Sequence, residues 1–571
     1  MQTGSVDYTF PPPVGLDHSA TLPLANGYTL LLACLAIYLI PVIWHTPLIR
    51  AEAMYALIPK EMLASGSWFT PTLNGLPYWD KPQLLYWLTL PCYKLFGVSD
   101  QVARLPLLGV TLAEVWVTYL IGRRLLGRQA AWLGGLALLS SIGFFALHLQ
   151  ILTDHLVTLF LAVSVYFLLR WQEQPSGKWS ALFFLALGLG FLSKGFIGLV
   201  FPGLIVVCHA WQLRRPGLLS ILWSPLGLAV LSLIMVPWFT ACELAHPGFI
   251  KFQVVNEQIL RFLGRRHPQD INSFPLAGFW LFLGIWLAPY TPLLPGTFWR
   301  FWKETHDAAR RAGRLLIIWP AVILIFFSLS SSRIEYYSLP ALPPLALLIG
   351  WRLKRYLDTP GDRGPLWALL IIGLLGLAVM FLLPYLQQIC AANRREFAGM
   401  FRLIAPVARP VTYLIPALAL AGLYAVWVRR PRLAVACYGV LAVSLLLFTF
   451  RVWLTLMPSL SDQIPGLWLR QHAAAGDVVV MGPIEEYEYG ASLAFYAGRP
   501  ILMEKRRGLP QFPQPVPPAQ DYLITPQRLQ NLWQGPNRVF LLLDDATPPD
   551  PWLQGAEVPL GLPGKRLLAN R

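Results

Sequence analysis

The chain has 571 residues, 56% of them hydrophobic and only 13% charged, with a formal net charge of +16. Soluble domains carry about twice that charged fraction, so a water-soluble globular class is excluded. Lys and Arg gather in short loops between apolar runs, so the surplus is read as membrane topology and nucleic acid is excluded as a partner.

Residues 1–26 are expected to form a cytoplasmic tail. The first apolar run, 27–45, lacks a small-residue cleavage site and is expected to persist as an anchor. An outer loop at 46–102 follows, longer than a connector needs. Its amphipathic stretches at 51–63 and 83–96 suit the interface. Further spans are expected near 103–122, 130–148, 154–170, 179–193, 196–212, 217–238, 275–295, 315–331, 338–351, 365–386, 411–428 and 433–455, about thirteen in all. Every second loop is basic, from Arg123, Arg124 and Arg128 through Arg214 and Arg215 to Arg429, Arg430 and Arg432. That alternation puts the N-terminus inside and the C-terminus outside. The opposite loops include 239–274, with Glu257, Arg261, Arg266 and His267, and 387–410. Residues 456–571 are rich in Pro and Gly, with strand-like runs at 477–481 and 538–543. The fold class read here is an all-α polytopic membrane domain over 27–455, with a small outer α/β domain after it. Six cysteines without CxxC spacing read as small buried apolar residues.

Ionisable residues are costly at a membrane, so their placement is informative. Glu52, Tyr55, Tyr78, Asp80 and Lys81 lie in the first outer loop, and Glu257 and Arg261 in the second. Asp154 opens a span, Lys194-Gly195 turns between two, and Arg333 precedes Tyr337. Carboxylates, cations and tyrosines thus converge on one membrane face. A lipid phosphate needs several fixed cations and an apolar groove for its tail, and a neighbouring carboxylate can act as general base. Plainer roles stand beside these: a helix cap for Asp154, snorkelling for Lys81 and Lys194, and an interfacial aromatic belt for the tyrosines. A transporter or lipid flippase would instead need ionisable groups along a path through mid-span. The charges crowd at one end of the spans.

The run from Glu52 to Trp68, with Leu73-Asn74-Gly75, Tyr78-Trp79-Asp80-Lys81-Pro82 and Ala103-Arg104-Leu105-Pro106, resembles the first outer loop of bacterial aminoarabinose transferases and related protein-mannosyltransferase-like enzymes. Thr153-Asp154, Lys194-Gly195, Asn256-Glu257-Gln258 and residues 494–500 extend the resemblance. It implies a GT-C fold in the bacterial inner membrane. It also implies transfer of a sugar from an undecaprenyl-phosphate donor on the periplasmic face, inverting by direct displacement. The acceptor would be a lipid such as lipid A, a glycan or a protein. Lys81 would hold the donor phosphate, helped by Arg261 and Tyr337, with Lys194 and Arg333 as further cations. Asp154 would be an active-site carboxylate, and Tyr55, Tyr78 and Glu257 would line the cavity. Where the family usually carries Asp-Glu, this chain reads Ala51-Glu52. That leaves Glu52, Asp80 and Asp154 as candidate bases; an anionic acceptor needs none, and a paralogue that binds the carrier without turnover is the further alternative. No metal ligands are assigned and no cofactor is expected, with a divalent metal left open. The outer domain is expected to be dispensable for donor binding.

Overall fold

A computed structural model describes residues 22, 24–44, 46–266, 273–303, 307–393, 395–484, 487–505, 522–545, 547–548, 550–562 and 564–571. Most of the expected tail at 1–26, and His267, lie outside these. Because the bilayer core offers no water, the apolar runs must close their own backbone hydrogen bonds as helices, and each expected span falls on one. Seven helices among the described residues are long and apolar enough to cross a membrane: Asp100–Leu126, Asp154–Glu173, Pro225–Ala245, Arg310–Leu329, Gly364–Tyr385, Phe401–Trp427 and Pro431–Leu460. Two bent pairs, Arg128–Leu139 with Ile142–His148 at 57° and Leu276–Trp286 with Thr291–Phe301 at 97°, have the length and apolarity of a broken span or a re-entrant loop. The stretches expected near 27–45, 179–193, 196–212 and 338–351 fall on the shorter helices Gly27–Ile43, Gly177–Lys194, Ile197–Leu213 and Leu342–Asp358.

Two boundaries differ from expectation. The span placed at 217–238 is a 3₁₀ segment, Pro216–Trp223, followed by the helix Pro225–Ala245. Ser224 caps that helix through Gly227 N and Pro225 opens it, a Ser-Pro start signal. The loop expected at 387–410 is largely helical: α-helices run over Gly364–Asn393 and Arg395–Trp427. Pro406 and Pro410 lie inside the second of these helices, and prolines are tolerated where neighbouring helices pack and satisfy the freed groups. Where Leu342–Asp358 crosses Arg128–Leu139, a Cβ on Gly350 would lie 2.2 Å from the backbone nitrogen of Gly134, so the crossing requires glycine.

The first outer loop folds into α1 (Arg50–Ser65), a hairpin of β1 (Thr72–Leu73) and β2 (Leu76–Pro77), and α2 (Leu84–Phe96). The hairpin turn is Asn74-Gly75, both at positive φ (54° and 78°), as a tight two-residue hairpin demands. After the last span, β3 (Val478–Met481), β4 (Leu502–Glu504), β5 (Leu523–Ile524), β6 (Val539–Asp544), β7 (Glu557–Leu562) and β8 (Lys565–Ala569) form one sheet in the order β5-β4-β3-β6-β8-β7. The β5-β4-β3-β6 pairings are parallel, and β6-β8 and β8-β7 antiparallel.

The sheet domain grips the first outer loop. Asn74 and Ile501 exchange two hydrogen bonds, Nδ2 to O at 2.8 Å and N to Oδ1 at 2.9 Å. Lys60 Nζ donates to Phe495 O at 3.0 Å. The Tyr496 hydroxyl accepts from Leu48 N at 2.7 Å and donates to Asp100 Oδ2 at 3.1 Å. Buried Asp462 takes Arg50 Nε at 2.9 Å and Lys565 Nζ at 2.8 Å, tying α1 to the last span and to β8. The recurring stretch at 494–500 is thus a docking surface for α1.

Candidate active site

Four element ends meet at one end of the bundle. The span Thr153–Glu173 begins with Asp154, and Gly177–Lys194 ends with Lys194. The 3₁₀ turn Glu335–Ala341 carries Tyr337, and the π-helix Phe252–Leu260 carries Glu257. Lys194 Nζ donates to both oxygens of Asp154, at 2.6 and 2.7 Å, and lies 4.0 Å from the centre of the Tyr337 ring. Its turn depends on Gly195, at φ +86° with the Gln258 amide 2.5 Å from where a Cβ would stand. Phe196 N donates to Gln258 Oε1 at 3.3 Å. The Lys-Gly pair and the Asn-Glu-Gln run are therefore two halves of one joint.

Beside this pair lies a second group of charges. Arg266 bridges Asp80 and Glu257, the latter through Nε at 2.7 Å. Arg261 Nη1 reaches the other oxygen of Glu257 at 3.2 Å. Lys81 sits among them, and among the described residues its ammonium makes neither hydrogen bond nor ion pair. Burial, with the Arg261 charge next in weight, lowers its pKa to about 7. Burial pushes the Asp80 carboxyl up, but Arg266, Lys81 and Arg261 more than offset this and hold it below the usual range. Glu257 is pushed up, by burial and then by Asp80. Tyr55 and Tyr78 are buried alongside, Tyr55 stacked 6.4 Å from Tyr86 and Tyr78 6.2 Å from Tyr487.

Two sequence candidates, Glu52 and Arg333, do not join this group. Glu52 is fully buried beneath α1. Its Oε1 accepts from Arg104 at 2.6 Å and Ile49 N at 3.0 Å, and its Oε2 from Ile151 N at 2.8 Å. Both oxygens are thus engaged by Arg104 and two backbone nitrogens in the interior. Arg333 aims its guanidinium at the backbone oxygens of Phe327, Phe274, Ser328 and Ser330 and so fixes its own loop. Sequence reasoning placed Arg104 within a resembling run but gave it no role, although a charge within an apolar span was the available signal. It also passed over Glu114, His148 and His155, buried inside the bundle. A cavity of about 680 Å³ among Arg300, Lys303, Arg352 and Arg363 lies at the far end of Leu342–Asp358, away from this convergence.

A multi-span bundle with one charged end and a small appended sheet domain is the architecture of the GT-C membrane glycosyltransferases. The structure matches that of ArnT from Cupriavidus metallidurans bound to undecaprenyl phosphate with a TM-score of 0.77, 21% identity, and 95% of this chain and 98% of that one covered. Residues 80–239 match the family described as dolichyl-phosphate-mannose-protein mannosyltransferase. Similar curated proteins include an undecaprenyl phosphate-alpha-4-amino-4-deoxy-L-arabinose arabinosyl transferase of Pseudomonas fluorescens, 32% identical over 61% of this chain and 62% of its own length. One of Aeromonas salmonicida is 31% identical over 61% and 64%. These alignments span just under two thirds of each relative. Together the matches show a GT-C fold and a sequence similarity to aminoarabinose transferases over part of their length.

Proposed function

We propose that this chain transfers a sugar from a polyprenyl-phosphate donor to an acceptor at the periplasmic face of the bacterial inner membrane. The observation that carries this reading is the uncommitted Lys81 ammonium, set among Arg261, Arg266 and Lys194 at one end of an apolar bundle. A lipid phosphate placed there meets fixed positive charge while its tail stays in hydrocarbon. Anion binding also favours the protonated lysine that burial disfavours. The relatives named above act on undecaprenyl-phosphate aminoarabinose by their names, and the ArnT structure holds undecaprenyl phosphate by its description.

In the reaction the acceptor oxygen attacks the anomeric carbon, the carbon–phosphate-oxygen bond breaks, and the polyprenyl phosphate leaves on Lys81 with Arg261 beside it. Asp154 is the carboxylate proposed to take the acceptor's proton. Asp80 is held anionic by Arg266 and is the weaker base. Lys194 then orients Asp154, and Tyr55, Tyr78 and Tyr337 wall the sugar. A second reading, a carrier-binding protein without turnover, is favoured by one observation: Glu52 is consumed by Arg104, so Ala51-Glu52 offers no free carboxylate. The lipids carried by the purified protein, identified by native mass spectrometry before and after Lys81→Ala, test the proposal. A polyprenyl phosphate or its glycosylated form, lost in the variant, is the expected result. Ordinary phospholipids alone, unchanged by the substitution, would overturn it. Turnover of a supplied donor then separates the two readings.

A further inference from the structure

Inside the bundle, just behind the charged end, three metal-ligating side chains converge from three elements. Glu114 lies midway along Asp100–Leu126, His148 ends Ile142–His148, and His155 is in the first turn of Thr153–Glu173. One donor atom from each lies within 4.8 Å of the other two. The side chains of Glu114 and His148 are fully buried, as is His155. Two atoms of the group, Glu114 Oε1 and His155 Nδ1, have no hydrogen-bond partner among the described residues. An unpaired carboxylate oxygen and an unpaired imidazole nitrogen are expensive where water is excluded.

The tautomers follow from the backbone. His148 Nδ1 is 2.6 Å from Phe144 O, and His155 Nε2 is 3.0 Å from Leu147 O. Carbonyl oxygens only accept, so each of those nitrogens carries its proton. The remaining nitrogens, His148 Nε2 and His155 Nδ1, therefore present lone pairs when the rings are neutral. Yet His148 Nε2 stands 2.7 Å from Glu114 Oε2. Two acceptors at that distance require a proton between them, or a cation.

We propose that Glu114, His148 and His155 form a binding site for a divalent transition-metal ion, zinc by its ligand chemistry. Two neutral imidazoles and one carboxylate are a zinc ligand set, with water in the fourth position. The carbonyl bonds from the far ring nitrogens are the orienting partners that metal-bound histidines use. Entry of the ion releases the shared proton, engages His155 Nδ1 and takes the place of the Glu114–His148 hydrogen bond. Zinc–nitrogen and zinc–oxygen distances of about 2.0–2.2 Å need the three donor atoms to shift by only about an ångström. The site joins three elements directly behind Asp154, so the ion would fix the start of the span that carries that carboxylate.

The test uses the full-length protein in detergent, stripped with a chelator and reloaded with zinc or with cobalt(II). Expected are about one zinc per chain surviving gel filtration, an intense four-coordinate visible spectrum with cobalt(II), and loss of both in Glu114→Gln and in His155→Asn. Asp80→Asn should keep the ion, which separates this site from the outer charged group. Wild-type protein that retains no metal, or gives only the weak spectrum of hydrated cobalt(II), would overturn the proposal and leave a proton shared between Glu114 and His148. Retention of the full equivalent in both variants would overturn it as well. The wild-type result is decisive even where a variant fails to fold.

Discussion

Glu52 and Lys81 show how opposite two buried charges can be. Glu52 is held by Arg104 and two backbone nitrogens, whereas Lys81 is surrounded by charge and, among the described residues, holds nothing. Breaking a buried ion pair by removing one partner costs about 3–5 kcal/mol, while removing both with apolar groups costs far less. Glu52→Ala should therefore destabilise the protein by about that amount, with Arg104 left unpaired. Glu52→Met with Arg104→Met should recover most of the loss in thermal melts and regain activity. A stable double variant without turnover would return Glu52 to the chemistry. For Lys81 the prediction concerns pH. Its free-state pKa is lowered to about 7, and an anion that binds the ammonium raises it. Below that pH the ammonium is already present and affinity is flat. Above it, binding must take up a proton, so affinity for a polyprenyl phosphate should fall about tenfold per pH unit. Lys81→Arg, charged throughout this range, should abolish the slope. A flat profile in the parent would mean that Lys81 does not contact the phosphate.

At the scale of elements, the apolar runs were legible because a span has only one way to satisfy its backbone. The bends were less so: only Ser140-Ser141 and Pro289 interrupt the apolar runs there, too little to tell a bent span from a straight one. The convergence of charges on one end was legible for the same energetic reason. Which of those charges are structural was not, because pairing is set by contacts distant in sequence: Glu52 with Arg104 and with Ile151 N. The docking of the sheet domain on α1 was hidden likewise, and it bears on the expectation that this domain is dispensable for donor binding. α1 carries Tyr55 and is gripped through Arg50 and Lys60, and the hairpin beside it through Asn74. Asp462→Ala would leave Arg50 and Lys565 without their buried anion, at about 3–5 kcal/mol. Limited proteolysis should then cut between the last span and β3, and lipid-phosphate affinity should fall with it. Protease resistance equal to the parent's would mean that the apolar contacts suffice to hold the domain.

For the molecule as a whole, the two ends of the bundle differ in kind. One end carries paired carboxylates and cations, the amphipathic first loop and the sheet domain. The other carries Arg300, Lys303, Arg352 and Arg363 with few acids. Excess Lys and Arg in short loops is retained on the cytoplasmic side, so the charged site should face the periplasm, where a lipid-linked sugar arrives with its head already across the membrane. Exposed positions at each end make this measurable. Trp68 lies on the first outer loop and Thr359 on the basic side, both solvent-accessible. With the parent chain as background, a membrane-impermeant maleimide applied to spheroplasts should label Trp68→Cys and spare Thr359→Cys until the membrane is permeabilised. The reverse pattern would place Lys81 on the cytoplasmic leaflet. The donor would then have to be used where it is made, before any translocation. The same site chemistry would then serve a different step, because orientation decides which leaflet's lipids Lys81 can reach.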